Sequence, residues 1–386
     1  MGMWLELLLW ATSAAASGQI LELLPAAPTA AQAFWANESA PLDTWGGSVV
    51  QDDAGKFHLY AAAMAEGCAL AQWATNSYVL HAVSESPTGP FRRPAGAAGT
   101  AVPLWAHNPQ VVRHTDGTYL LFSIGAVNAT QPCECPQPVP RGFCPRPKIY
   151  PWADEIQLHF ADSPDGPWHS VGRVIWGSNP SPYVMRSTGE VFVAFKGGMQ
   201  IARASHWRGP YEVISKLGGV LPAAGPSFPS IEDAFLWFDE SARRWNCLYH
   251  QYSKTAFKPS GPGGYAYSAV DSILNWTWGA PNGRSVYPWN VSLAGGKAMD
   301  LQSRQRPKLL LDARGQPAVL YNGVEFDGRS HTFAQRVKAF TPPYLRPAAE
   351  QPRLAAQAGE RARGPKSEKS DPRTEDAPAA VANRPT

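Results

Sequence analysis

The sequence predicts an all-β fold, a five-bladed β-propeller, on three observations: an aromatic, glycine- and proline-rich composition, a strand–turn–strand pattern that recurs five times, and a second repeated segment after most copies. Among its 386 residues are 15 Trp, 13 Tyr, 15 Phe, 34 Gly and 37 Pro, with only 17% charged residues. That mixture suits short strands joined by tight turns and argues against a helical bundle. The formal charge of +3 is small, and the Lys and Arg are scattered apart from a cluster in the C-terminal tail. There is no basic stripe interleaved with aromatics, so no nucleic-acid partner is expected.

The first strand copies begin at Trp45-Gly-Gly-Ser-Val-Val, His107-Asn-Pro-Gln-Val-Val, Asn179-Pro-Ser-Pro-Tyr-Val, Glu232-Asp-Ala-Phe-Leu-Trp and Arg304-Gln-Arg-Pro-Lys-Leu. Turns follow near Asp53 and Gly55, at Asp116-Gly117, at Gly189, near Asp239 and at residues 312–315. Each leads into an apolar second strand, at 57–62, 119–124, 191–195, 245–249 and 318–321, which makes five hairpins. The second segment reads Leu80-His-Ala-Val-Ser with Gly-Pro-Phe behind it, Leu158-His-Phe-Ala-Asp with Gly-Pro-Trp, and Ile201-Ala-Arg-Ala-Ser with Gly-Pro-Tyr; weaker versions run over 265–278 and 333–340. A hairpin plus an outer pair gives four antiparallel strands per unit, repeated every fifty to seventy residues or so, the anatomy of a propeller blade. A β-sandwich would account for the turn spacing but not for the repeated Gly-Pro-aromatic corners.

Three domains are expected: a signal peptide over 1–18, the propeller over 34–345 and a disordered tail over 346–386. The first has an apolar run from Leu7 to Trp10 ahead of Ala14-Ala-Ala-Ser, although it lacks a basic start and carries Glu6. The tail, rich in Ala, Pro, Arg, Glu and Lys, has no hydrophobic period with which to offset its ordering entropy. Sequons at Asn37, Asn128, Asn275 and Asn290 fit a secreted glycoprotein, a monomer with no membrane attachment once the leader is removed. Of five cysteines, Cys133, Cys135 and Cys144 lie in a proline-rich insertion where a disulfide would brace a loop lacking its own core; Cys68 and Cys247 lie apart, and the odd count leaves at least one thiol outside any pair within the chain. Zinc is the competing reading, but C-x-C with one further Cys lacks the paired ligand spacing.

In a propeller the first strand of each blade lines the central channel, so the five lead-ins converge on one face. They bring Trp45, His107, Asn108, Asn179, Glu232, Asp233, Arg304 and Arg306 together, with Trp73, Asn76, His250, Tyr252 and Lys254 on loops above. Aromatics, carboxylates, Asn, His and Arg suit a carbohydrate, whose hydroxyls need planar hydrogen-bond partners and whose C–H faces need an aromatic surface. Any one of these polar residues also has a structural reading, because Asn and Asp close turns and cap strands.

The blade pattern, Trp105-Ala106 ahead of the second blade, and Ile231-Glu232-Asp233 before an aromatic strand resemble the five-bladed hydrolases of glycoside hydrolase family 43. The resemblance covers Trp45 to about Phe340. It implies a Glu general acid in an E-G-P or E-D-P motif, which Glu232 matches apart from Ala234 in place of proline. It also implies an Asp base in the first blade and a tuning Asp at a later blade start, where this chain has Gly46-Gly47-Ser48 and Asn179-Pro180-Ser181. Hydrolysis needs an acid and, across the sugar ring, a base. The candidates for the base are Asp43 and His107, with Trp45, Asn108, Asn179, Asp233, His250, Arg304 and Arg306 positioning the sugar. Asp233 neighbours Glu232 on a strand and is expected to point the other way. Two functions follow: a secreted glycoside hydrolase, or a catalytically silent carbohydrate-binding relative. The two arginines leave room for an acidic sugar. A sialidase-like site lacks a clear Tyr nucleophile and a three-Arg cluster. No cofactor is expected; relatives hold calcium in the channel, but no all-oxygen ligand set is visible here.

Overall fold

The computed structural model describes residues 20–26, 42–103, 105–125, 135, 154–196, 199–215, 230–252, 263–279 and 286–345. The expected signal peptide, the tail, Asn37, Asn128, Cys133, Cys144 and Lys254 lie outside them. A short strand β1 (Leu21–Leu23) comes first. Blade I follows as β2 (Thr44–Gln51), β3 (Phe57–Met64), β4 (Ser77–Ser84) and β5 (Thr100–Val102). Blade II is β6 (Ala106–Arg113), β7 (Tyr119–Gly125), β8 (Glu155–Ala161) and β9 (His169–Trp176). Blade III is β10 (Ser181–Val184), β11 (Val191–Phe195), β12 (Gln200–Ala204) and β13 (Glu212–Val213). Blade IV is β14 (Ser230–Asp239), β15 (Arg244–Tyr252), β16 (Gly263–Ser268) and β17 (Trp276–Trp278). After a small ribbon of β18 (Val291–Ser292) and β19 (Ala298–Met299), blade V is β20 (Ser303–Leu311), β21 (Pro317–Phe326) and β22 (Arg329–Phe340).

The fourth strand of blade V is β1. It pairs antiparallel with β22, Leu21 opposite Phe340 and Leu23 opposite Val337, so the two ends of the described chain close the ring together. Residues 21–23 precede the start expected at 34; three residues without a partner strand nearby in sequence carry too little pattern to be read as a blade element. The inner strands pack in cyclic order, β2 beside β6, β6 beside β10, β10 beside β14, β14 beside β20 and β20 back beside β2, which makes the five sheets a closed propeller.

The core is the set of gaps between blades. Tyr60, Val79, Val111 and Leu121 fill the space between blades I and II; Leu120, Phe122, Leu158, Val191 and Phe195 fill the next. Phe192, Ile201, Leu236 and Trp245 join III to IV, Trp237, Leu248, Leu309 and Leu320 join IV to V, and Leu59, Leu80, Val319 and Tyr321 join V to I. Each middle strand therefore buries both faces. That is why β3, β7 and β11 read as unbroken apolar runs rather than alternating ones.

Cys135, from the proline-rich insertion, bonds to Cys68 on the loop after β3. Cys247 is a buried free thiol in the III–IV gap. Among the described residues no helix is long and apolar enough to cross a membrane.

Candidate functional site

Blades I, II, IV and V share a β-bulge near the start of the inner strand: between Trp45 and Ser48, His107 and Gln110, Glu232 and Phe235, and Gln305 and Lys308. The residue at each bulge has left-handed backbone: Gly46 (φ 63°), Asn108 (53°), Asp233 (58°) and Arg306 (53°). Asn179 (56°), just ahead of β10, completes the set in blade III. Such conformations suit Gly, Asn and Asp and are strained for Arg. The four bulges, and the left-handed residue Asn179 ahead of β10, bring these positions to the axis, where Asn108, Asn179, Asp233 and Arg306 line the channel cavity with Trp45, Gly47 and Lys308.

A hydrogen-bond chain crosses four blades there. Asn108 Nδ2 donates to Asn179 Oδ1 (2.5 Å), Asn179 Nδ2 donates to Asp233 Oδ1 (2.8 Å), and Arg306 Nη1 donates to the same oxygen (2.7 Å). Blade I takes part by omission. A Cβ on Gly46 would lie 3.2 Å from Arg306 Cδ and 3.3 Å from its Cβ, so the glycine leaves room for the Arg306 side chain as it passes to Asp233. Asp233 is only 3% exposed, and although burial opposes its charge, Arg306, His250 and Lys308 hold its carboxyl far below the usual range. Lys308, which donates to Ala234 O (2.9 Å), is pushed down to about 7 by burial, with Arg306 adding to the effect and Asp233 opposing it.

Glu232 stands at the rim. Its carboxylate is 2.5 Å from Lys196 Nζ, an ammonium 48% exposed at the end of β11. The alternation that would send Asp233 away from Glu232 is cancelled by the bulge: ligand atoms of Glu232, Asp233 and His250 all lie within 4.8 Å of one another, and His250 Nδ1 is 3.5 Å from Asp233 Oδ2. His107 lies beneath Trp73, ring centroids 5.1 Å apart, with Nδ1 2.6 Å from Ser77 Oγ. Burial, helped by Arg306 and opposed by Asp233, lowers its pKa well below the ordinary value, so it is a neutral imidazole. Asn76 is fully buried in the short helix that carries Trp73.

Two expected residues serve elsewhere. Asp43, a candidate base, is 7% exposed and lies at the seam of blades V and I, where Arg329 donates to it from Nε (2.9 Å) and Nη2 (2.5 Å) and Ser330 from Oγ (3.3 Å). A carboxylate so held is not poised to activate water. Arg304 is 1% exposed and bonds to Asn322, Pro288 O and Gln335 between the rings of Tyr287 and Phe333, so it braces blade V instead of meeting a sugar. It precedes the bulge and points away from the channel. Lys196 and Lys308 were not singled out from sequence. Lys196 directly follows a second strand, the place from which loops were expected to cover this face, and Lys308 lies two residues beyond Arg306.

Calcium does not fit the ring. It requires six to eight oxygens, whereas here a guanidinium and a buried ammonium already attend the one carboxylate.

No protein-family model matches the chain, and no curated protein matches it. Among solved structures, the chain is similar to a family 117 glycoside hydrolase of Zobellia galactanivorans (14% identity over 83% of this chain and 90% of that one, TM-score 0.47). It is also similar to an endo-arabinase of Bacteroides thetaiotaomicron (12%, 77% and 95%, 0.48) and to an exo-β-1,3-galactanase of Phanerochaete chrysosporium (14%, 84% and 66%, 0.48). At these identities and scores the likenesses say nothing about the site.

Proposed function

We propose that this propeller binds a glycan at the mouth of its channel and that its described residues lack the acid–base pair of a hydrolase. One observation carries the reading: of the carboxylates named above, only Glu232 stands at the rim, because Asp233 and Asp43 are each neutralised by an arginine and sequestered. Inverting hydrolysis needs a second carboxylate roughly 6.5–9.5 Å across the sugar, and retaining hydrolysis one at about 5–5.5 Å that is free to attack. An adjacent carboxylate and ammonium, Glu232 and Lys196, instead offer an acceptor and donors to neighbouring hydroxyls, and half-buried Trp73, over His107, offers an apolar surface. With Arg304 committed to blade V, nothing here favours an acidic sugar over a neutral one. The Cys68–Cys135 disulfide and the exposed sequons Asn275 and Asn290 support a secretory route, testable as an endoglycosidase-sensitive mass shift.

The test of function is a glycan array followed by calorimetry on the full chain, with wild type, Lys196→Ala and Glu232→Gln, and an assay for released reducing sugar. Binding by wild type that falls at least tenfold in Lys196→Ala, without turnover, supports the proposal. Sugar release by wild type that Glu232→Gln abolishes establishes the hydrolase instead. Absence of any glycan ligand overturns both.

A further inference from the structure

At the opposite end of the blades from the bulges, two buried histidines of blade I face a carboxylate of blade II. His58, second residue of β3, and His81, in the middle of β4, are each 1% exposed, with His58 Nδ1 and His81 Nε2 3.0 Å apart. Asp165, on the corner joining β8 to β9, places Oδ1 3.7 Å from the first nitrogen and 3.9 Å from the second. A point equidistant from the three atoms lies about 2.1 Å from each, the length of a zinc–imidazole or zinc–carboxylate bond.

The surroundings are those of a metal site. His58 Nε2 lies 3.2 Å from Asp52 Oδ2, so the ring donates its proton there and presents the Nδ1 lone pair inward, the carboxylate–histidine arrangement that orients metal ligands. Asp52 is itself fixed by Lys56 N (2.7 Å). His81 is packed against Tyr60, whose hydroxyl donates to Pro164 O and whose ring meets Trp168 edge-on at 5.4 Å; these contacts hold the Asp165 corner in place. Asp165 is 60% exposed, which leaves one side of the triangle open to solvent.

We infer that His58, His81 and Asp165 bind a late first-row divalent ion of the zinc class, with Asp52 orienting His58 and water in the fourth position. Two imidazoles and one carboxylate suit such an ion and not calcium or magnesium, which take oxygen. Without metal, the two nitrogens meet head-on across one shared proton. Binding moves that proton to His81 Nδ1 and swings the rings so that their lone pairs converge. The ion would join blade I to blade II beside the Tyr60–Pro164 hydrogen bond.

The test uses the full chain stripped with a chelator and titrated with Zn2+ against a chromophoric competitor, then with Co2+ to read its visible spectrum. The expected result is one ion per chain, a raised melting temperature and a Co2+ spectrum of low coordination number. His81→Gln and Asp165→Asn should each weaken binding about tenfold or more, and Asp52→Asn, one shell out, by about 10- to 100-fold. Asp165 is exposed enough that its variant reports even if His81→Gln fails to fold. Absence of stoichiometric binding to wild type, or equal affinity in wild type and Asp165→Asn, overturns the inference.

Discussion

The channel and the seam between blades V and I each hold one aspartate paired with one arginine, and the two pairs differ in what surrounds them. In the channel, the Asp233 and Arg306 side chains are 2% and 17% exposed, with Asn179, His250 and the buried Lys308 adjoining. At the seam, the Asp43 and Arg329 side chains are 8% and 33% exposed, and Ser330 is the further donor. The sequence offers the seam acid as one of two candidate bases, beside His107, and the channel acid as a sugar-positioning residue that faces away from Glu232. The structure uses both as electrostatic ties between neighbouring blades, one from IV to V at the channel and one from V to I at the seam. An acid at a blade start is thus available for chemistry only where no arginine from the next blade reaches it.

The most damaging way to break this symmetry is Asp233→Ala. It leaves Arg306 and Lys308 buried without their anion, and removing one partner of a buried pair costs about 3–5 kcal/mol. Urea unfolding should show that loss, with part of it recovered in Asp233→Ala combined with Arg306→Met. A loss under 1 kcal/mol would mean that water already screens the channel.

Lys308 sharpens the contrast, because the seam has no such buried cation beside its pair. Its folded pKa, pushed down to about 7, lies below the ordinary 10.5, so between those values the unfolded chain holds a proton that the native state has released. Stability contributed by this group therefore rises with pH across that window, by at most about 1.4 kcal/mol per unit, and is unchanged by pH below it. Melting curves of wild type and Lys308→Met at pH 6 to 9 should diverge most at pH 6 and converge as pH rises. Parallel curves would remove Lys308 from the electrostatics of the channel.

At the seam, Asp43→Asn should cost about 1.5–3 kcal/mol, the range for a hydrogen bond to a charged group. It keeps acceptors for Arg329 and Ser330 while removing the charge. If Asp43 were instead the base of a hydrolase, the same variant would leave stability nearly unchanged and abolish turnover.

The blades were legible because the middle strands are buried on both faces and three of the corners repeat Gly-Pro-aromatic, signals local to some ten residues. β1 was not, since three residues reveal nothing until β22 is beside them. At the site, the converging positions Asn108, Asn179, Asp233 and Arg306 followed from the blade alignment. Their orientation did not, because a bulge cancels the two-residue alternation on which the reading of Asp233 relied. The fate of Asp43 depended on Arg329, 286 residues away in sequence. Cys68 as the partner of Cys135 was hidden for the same reason.

The smallest effect belongs to Glu232. Its partner Lys196 is about half exposed, and such pairs contribute roughly 0–1 kcal/mol after the entropy of fixing two long side chains is counted. Glu232→Gln should therefore melt within a degree or two of wild type, in contrast to its neighbour Asp233. If the rim rather than the ring is the functional surface, that near-silent change in stability will coincide with the larger change in glycan affinity. A substitution that destabilised the fold as strongly as Asp233→Ala would place Glu232 in the buried network and leave the rim without its acceptor.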